Sequence, residues 1–233
     1  TTTGIHVPDQ GAEGRRRRKE ERRGFNMNRE EVLLPPIHLK RFQTGPALRC
    51  IFHTIVFNRS LHGKMLKPRD VDCDVFDVSY AMSDNKHVAQ LITEGIRGFL
   101  KRMEEFKTDK GEACISFYTA KDWSFKSLFA QDDKFHWEKW IIPIKIEDPK
   151  CLKDSENDEK QTQRQNMLRE CLFQIIAKLN EKTKHIPPLS SNEATKKLTD
   201  KLGCFPFEIS YLKSDKSRWG QVKRTLQNPP SLM

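Results

Sequence analysis

The chain has 233 residues, with 42 Lys and Arg against 32 Asp and Glu, a formal net charge of +10. A chain this long buries roughly 70% of its unfolded surface, so it needs no metal or disulfide for a core, and 14 Phe and 4 Trp argue against wholesale disorder. No apolar run approaches the roughly 18 residues that span a bilayer, and no signal-type apolar region follows the early basic residues, so the expectation is neither a membrane-spanning nor a secreted protein.

Residues 1–26 carry seven positive and four negative charges, the positive ones being Arg15, Arg16, Arg17, Arg18, Lys19, Arg22 and Arg23. With almost no apolar residues, this segment reads as a disordered basic extension. It is either a solvated tail or an arm for nuclear localisation or nucleic acid. The first Met is Met27, which reads as the natural start of the folded part.

Val32, Leu33, Leu34, Ile37 and Leu39 read as one edge-like strand, since Pro35 and Pro36 cannot donate to a central ladder. Thr44-Gly45-Pro46 is expected to open a helix that runs to about Ser60, with Leu48, Ile51, Phe52, Ile55 and Val56 on one face. Val71–Tyr80 reads as a strand whose alternation changes phase near Val75-Phe76, a sign of a bulge or of burial on both faces. Asp70, Asp72, Asp74 and Asp77 lie along it. On a strand Asp72 and Asp74 point away from Asp77, so solvated carboxylates are expected rather than a metal site.

The clearest helix spans 84–107, with Val88, Leu91, Ile92, Ile96, Phe99, Leu100, Met103 and Phe106 as its stripe and Ser83 or Asp84 as its cap. Strands follow at Ala113–Ala120 and Trp137–Glu147. Residues 150–165 read as a linker or a frayed helix start, and a second long helix is expected over 166–182 with Met167, Leu168, Cys171, Leu172, Ile175, Ile176 and Leu179 inward. Ile186-Pro187-Pro188 breaks it. Ser190 and Glu193 form a capping box for a short helix ending at Gly203. Strands at Pro206–Lys213 and Trp219–Leu226 close the chain. Helices and strands intermix without regular alternation, so the class is α+β.

Chemistry is sparse. There is no phosphate-binding glycine loop, no H-E-x-x-H and no nucleophile elbow. The seven His are scattered, and the six Cys (Cys50, Cys73, Cys114, Cys151, Cys171, Cys204) stand far apart, as reduced thiols of a cytosolic protein would. Nothing announces catalysis, a cofactor or a metal. The unusual segment is 121–136, which carries Trp123, Phe125, Leu128, Phe129 and Phe135 between two strands. Trp123 and Phe125 stand two apart, so an extended backbone points both rings the same way. Such a pair is either a binding hot spot or a pair of core anchors.

Taken together, LRCIFHTIVFNRS (48–60), DVDCDVFDVSY (70–80), ISFYTAKDWSF (115–125), WEKWIIPI (137–144) and PFEIS (206–210) resemble the autophagy-related protein 101 family over residues 27–233. These are single-domain HORMA proteins of the autophagy-initiation machinery. The resemblance implies a HORMA domain over 27–233, an antiparallel sheet backed by three main helices with a C-terminal strand pair. It implies no catalysis and no cofactor. It implies a partner, the HORMA domain of autophagy-related protein 13 within the initiating kinase complex, docked on the face of the 166–182 helix. It implies a Trp-Phe finger at Trp123 and Phe125 that recruits downstream autophagy factors. It places the protein in the cytoplasm, and at the preautophagosomal structure on induction. Three features depart from the family pattern: a short link before the 70–80 strand, the basic extension, and Ser124 where a Pro would stiffen the finger. Two other classes stand beside this reading: a nucleic-acid-binding protein using the arm, and an enzyme with a site assembled from distant residues.

Overall fold

A computed structural model describes residues 29–60, 67–120, 134–147, 154–187 and 193–213. The expected basic extension, the Trp123–Phe125 finger, Cys151, Ser190 and the 219–226 strand lie outside the described residues.

The elements run β1 (Glu30–Leu33), β2 (Ile37–Lys40), α1 (Arg41–Ser60), β3 (Pro68–Asp72), β4 (Ser79–Ser83), α2 (Lys86–Glu105), β5 (Lys110–Ala120), β6 (Lys134–Glu147), α3 (Asp154–Glu181), α4 (Glu193–Leu202) and β7 (Phe207–Lys213). The class is α+β. The main sheet has the order β1-β6-β5-β7, with β2 also on β6. It is mixed rather than antiparallel, because β1 and β2 both run parallel to β6.

The single expected edge strand is thus two strands laid end to end along β6, split at Pro35-Pro36. Leu34 N–H donates to the Ile141 carbonyl at 3.0 Å. Alternate residues of β6 turn their backbone groups the same way, so Pro143 faces this side too. Its missing donor falls in the gap between β1, which pairs through Ile141, and β2, which resumes at Ile144.

Helix α1 starts at Arg41, earlier than the Gly-Pro signal indicates. The Lys40 N–H donates to the Gln43 side chain at 3.0 Å, satisfying a donor at the helix start. Pro46 therefore sits just beyond the first turn. The phase change at Val75-Phe76 is a chain reversal and not a bulge. β3 and β4 form a separate antiparallel hairpin with Val71 opposite Tyr80, closed by Cys73 N–H to the Val78 carbonyl at 2.9 Å. Phe76 at the turn is buried in the core. Asp72 accepts from Ser79 Oγ at 2.6 Å and Asp77 pairs with Arg169 at 2.8 Å.

Asn85 caps α2, its Oδ1 accepting from His87 N–H at 2.9 Å. Ser83 and Asp84 do not. Asn85 also donates through Nδ2 to the carbonyls of Lys201 and Leu202, so one side chain closes both the start of α2 and the end of α4. Gly203 follows α4 at φ 69°, a left-handed conformation that glycine adopts without steric cost. Val88, Ile92, Ile96, Phe99 and Met103 of α2 are buried, while Leu91 and Phe106, expected inward, are exposed.

Ala113, Ile115 and Phe117 of β5 stand opposite Ile142, Trp140 and Glu138 of β6, and opposite Tyr211, Ile209 and Phe207 of β7. Directly opposed residues share a face, and α2 lies on it. A Cβ on Gly95 would stand 2.6 Å from Ile209 Cβ, so the helix backbone rests directly on β7.

Several buried positions break the apolar rule, and one of them gathers a network. Glu138 on β6 is fully buried. Arg59, at the end of α1, donates to both its oxygens, the closest contact being Nη2 to Oε2 at 2.7 Å. Trp140 Nε1 donates to Oε1 at 2.6 Å, and His185 Nε2 lies 2.5 Å from Oε2. Arg59 also donates to the carbonyls of Leu179 and Lys182, which satisfies orphan acceptors at the end of α3. Burial works to raise the Glu138 pKa, yet the hydrogen bonds from His185 and Arg59, the Arg59 charge and Trp140 hold it below the ordinary carboxylate value.

Candidate functional site

The resemblance places function on the segment between β5 and β6 and on a face of α3. The structure describes the base of the first and the exposed face of the second.

β5 and β6 pair antiparallel as far as Ala120 opposite Lys134, so the strand ends that bracket residues 121–133 are held side by side. The register shifts between Phe117 and Tyr118. Beyond that shift, Tyr118 of β5, Lys134 and His136 of β6 and Glu208 of β7 form a polar cluster. Glu208 accepts from Lys134 Nζ at 2.6 Å and lies 2.7 Å from His136 Nε2. Lys134 Nζ sits 4.6 Å over the Tyr118 ring, and the Tyr118 and His136 rings lie 5.7 Å apart.

The charges in this cluster reinforce one another. The hydrogen bond to Glu208 raises the Lys134 pKa against a smaller opposing effect of burial. Burial would raise Glu208, but its bonds to Lys134 and His136 bring it below the usual carboxylate value. Burial pushes the Tyr118 phenol up. The shifts of Lys134, Glu208 and Tyr118 each strengthen the group's ordinary neutral-pH charge state, as in a tether and unlike a proton-transfer site. The cluster ties the hairpin base to β7. Trp123 and Phe125 themselves lie outside the described residues.

On α3 the inward stripe is Leu168, Cys171, Leu172, Ile175 and Leu179, all buried, with Met167 partly covered. Ile176, expected inward, is 41% exposed, and Phe173 is 69% exposed. Three residues apart on a helix, these two side chains share one outward face. The helix begins at Asp154, well before the expected 166, so the 150–165 segment is mostly helix rather than linker.

Three of the described thiols are not poised for chemistry. Cys50, Cys73, Cys114, Cys171 and Cys204 form no disulfide. Burial, with Cys73 nearby, raises Cys50; burial raises Cys171 and Cys204 to about 12. A thiol so raised stays protonated near neutral pH and is a poor nucleophile. Among the described residues no group of His, Cys, Asp and Glu could hold a metal ion. Among them also, no helix is long and apolar enough to cross a membrane.

The sequence reading missed Arg59, Glu138 and His185 as a unit, since a charged residue in a strand carries no local sign of burial. Phe173 stood in plain view at the right spacing from Ile176, and an outward stripe could have been drawn from the two.

The family model described as autophagy-related protein 101 matches residues 36–193. The autophagy-related protein 101 of Arabidopsis thaliana is 31% identical over 226 residues, covering 89% of this chain and 100% of that protein. A match across most of the chain, at this identity and over the relative's full length, makes the chain a member of the autophagy-related protein 101 family.

Proposed function

We propose that the protein is a non-catalytic adaptor and regulatory subunit of the autophagy-initiation kinase complex. Its fold is a HORMA domain that pairs with and stabilises the HORMA domain of autophagy-related protein 13. Trp123 and Phe125 form an exposed finger that recruits downstream autophagy factors. It acts in the cytoplasm and gathers at the preautophagosomal structure on induction.

Family membership carries the autophagy role. The observation that best supports the finger is the pairing of Ala120 with Lys134, braced by Glu208 on the neighbouring strand. Strand ends held together this firmly supply a rigid base from which a connecting segment presents side chains at one end of the sheet. Trp and Phe are efficient there, because each offers large contact area at low entropy cost. For the partner, the supporting feature is the outward face of α3. Phe173 and Ile176 place apolar area on an otherwise polar helix surface, which is how a docking face differs from a solvated one.

Replacing Trp123 and Phe125 together with Ala tests the finger. The melting temperature is expected to stay within about 2 °C of the parent, as for surface substitutions. Recruitment of downstream factors, read by co-precipitation with the assembled kinase complex on induction, is expected to drop several-fold. A large loss of melting temperature would instead show that the two rings are core anchors.

A further inference from the structure

At the start of β5, the end away from the hairpin base, an open cavity of about 270 Å³ lies between the C-terminal end of α2 and the end of β7. Its walls include Phe99, Arg102, Met103 and Phe106 from α2 and its cap, Gly111 of β5 and Tyr211 of β7.

The seam between α2 and β7 builds one wall. A Cβ on Gly98 would stand 3.7 Å from Tyr211 Cε1, so the ring lies against the helix there. One turn further along α2, the Arg102 guanidinium sits 4.8 Å from the centroid of the Tyr211 ring and 5.3 Å from that of Phe106. Both rings are within cation–π range, which fixes the guanidinium at the lip. The floor is apolar, with Phe99 and Met103 buried. A Cβ on Gly111 would stand 3.1 Å from Phe99 Cε2 and 3.4 Å from Met103 Sδ, so a side chain there would close onto that floor. Phe106 is 56% exposed and carries the apolar surface outward.

Arg102 is an exposed cation with no ion pair among the described residues. The carboxylates that follow it on α2, Glu104 and Glu105, pair instead with Arg41 at 2.7 Å and Lys101 at 3.8 Å. The end of a helix repels an anion through its free carbonyls. Here the N–H groups of Phe106, Lys107 and Thr108 donate to the carbonyls of Arg102, Glu104 and Met103 at 3.0–3.1 Å, which blunts that effect. A guanidinium stacked on rings keeps its N–H edge for a carboxylate.

Size and charge together select the ligand. The cavity falls below the roughly 300–1,000 Å³ of small-molecule sites and suits one large side chain. The net charge of +10 draws acidic partners. We propose that this cavity receives the aromatic side chain of an acidic peptide segment of a partner protein, with Arg102 gripping a carboxylate beside that side chain. The site lies at the opposite end of β5 from the finger and does not depend on the proposed adaptor role.

The test follows the Gly111 N–H and Met103 methyl resonances of the full chain by NMR during titration with the blocked pentapeptide Asp-Glu-Phe-Glu-Asp. Parallel arms use Asp-Glu-Ala-Glu-Asp, which lacks the anchor, and Lys-Lys-Phe-Lys-Lys, which reverses the charge. The expected result is a saturable shift with a dissociation constant of about 1 mM or tighter for the first peptide. Each parallel arm is expected to bind about tenfold more weakly or not at all. Arg102→Gln and Phe106→Ala, at exposed positions that leave the core intact, are expected to weaken binding by about tenfold and several-fold. Equal binding of the alanine or the basic peptide, or unchanged binding by Arg102→Gln, overturns the proposal. No saturable shift with the first peptide also overturns it. In that case a shift of the Trp219 indole N–H on Phe106→Ala would show that residues 214–233 of the chain itself fill the cavity, and no such shift would leave it to water.

Discussion

Replacing Glu138 with Gln is expected to cost about 3–5 kcal/mol of folding stability, because it leaves Arg59 buried without its counter-charge. Arg59 and Glu138 are 2% and 0% exposed at their side chains, so water cannot take over the lost partner. At the entropy of unfolding usual for a domain of this size, the melting temperature should fall by roughly 10 °C. Arg59→Met should cost a similar amount, since it strands the carboxylate and also frees the carbonyls of Leu179 and Lys182 at the end of α3. Chemical denaturation of the two single variants and the double variant closes a cycle. A strongly non-additive cycle, with the double variant less destabilised than the sum, is the signature of one coupled unit. Losses below about 1 kcal/mol would mean that the pair is solvated after all. Glu138 also sets a pH limit. Its pKa is lowered on folding, so its contribution is present above about pH 4.5 and fades below it as the carboxylate protonates.

The second large effect is a loss of stability at mildly acid pH through His53. Its ring is buried in α1 against Tyr80, with ring centroids 5.8 Å apart. Burial first, and then the nearby charge of Arg49, lower its pKa from 6.5 to about 4. The folded protein therefore favours the neutral ring, while the unfolded chain takes up a proton more readily. Stability is fully present above pH 6.5 and declines as pH falls from 6.5 towards 4. The decline steepens towards the linkage limit of about 1.4 kcal/mol per pH unit for one proton, and reaches about 3 kcal/mol near pH 4. His38, also lowered by burial, adds to the upper part of the same window. His53→Phe keeps the aromatic contact and removes the titration. Denaturation midpoints measured between pH 7.5 and 4.5 should fall clearly less for the variant than for the parent. Equal slopes would show that His53 stays accessible to protons in the folded state.

Both effects sit at positions where local pattern was uninformative, and the reason is physical. Apolar periodicity reports which residues face a core, so the stripes of α2 and of the C-terminal half of α3 were legible. It says nothing about a polar helix, and Asp154–Gln165 holds three Gln and two Glu, which favour helix without marking a buried face. The switch of phase at Val75-Phe76 was a true signal. A chain reversal and a bulge both exchange faces, and no Gly stands there to mark the turn. The parallel pairing of β1 and β2 with β6 is a matter of topology, which alternation along one strand does not encode. Glu138 carried no sign of burial in the sequence, because its partners Arg59 and His185 come from the end of α1 and the segment after α3. Trp123 and Phe125 were the reverse case. Their spacing in a charged segment was conspicuous in the sequence, and the structure contributes the braced strand ends on either side.

A stable protein of this kind matters to the cell through what it holds. The central proposal is that the chain pairs with the HORMA domain of autophagy-related protein 13, with the outward face of α3 as the docking face. The most direct measurement is the solution mass of the chain alone and mixed with the HORMA domain of autophagy-related protein 13, by light scattering after gel filtration. Parent and Phe173→Asp/Ile176→Asp chains should be compared. The account predicts a one-to-one complex for the parent at micromolar concentration, and its loss in the double variant with the folded chain intact. Two separate peaks for the parent mixture would contradict the pairing, and a complex that survives the double variant would contradict the face.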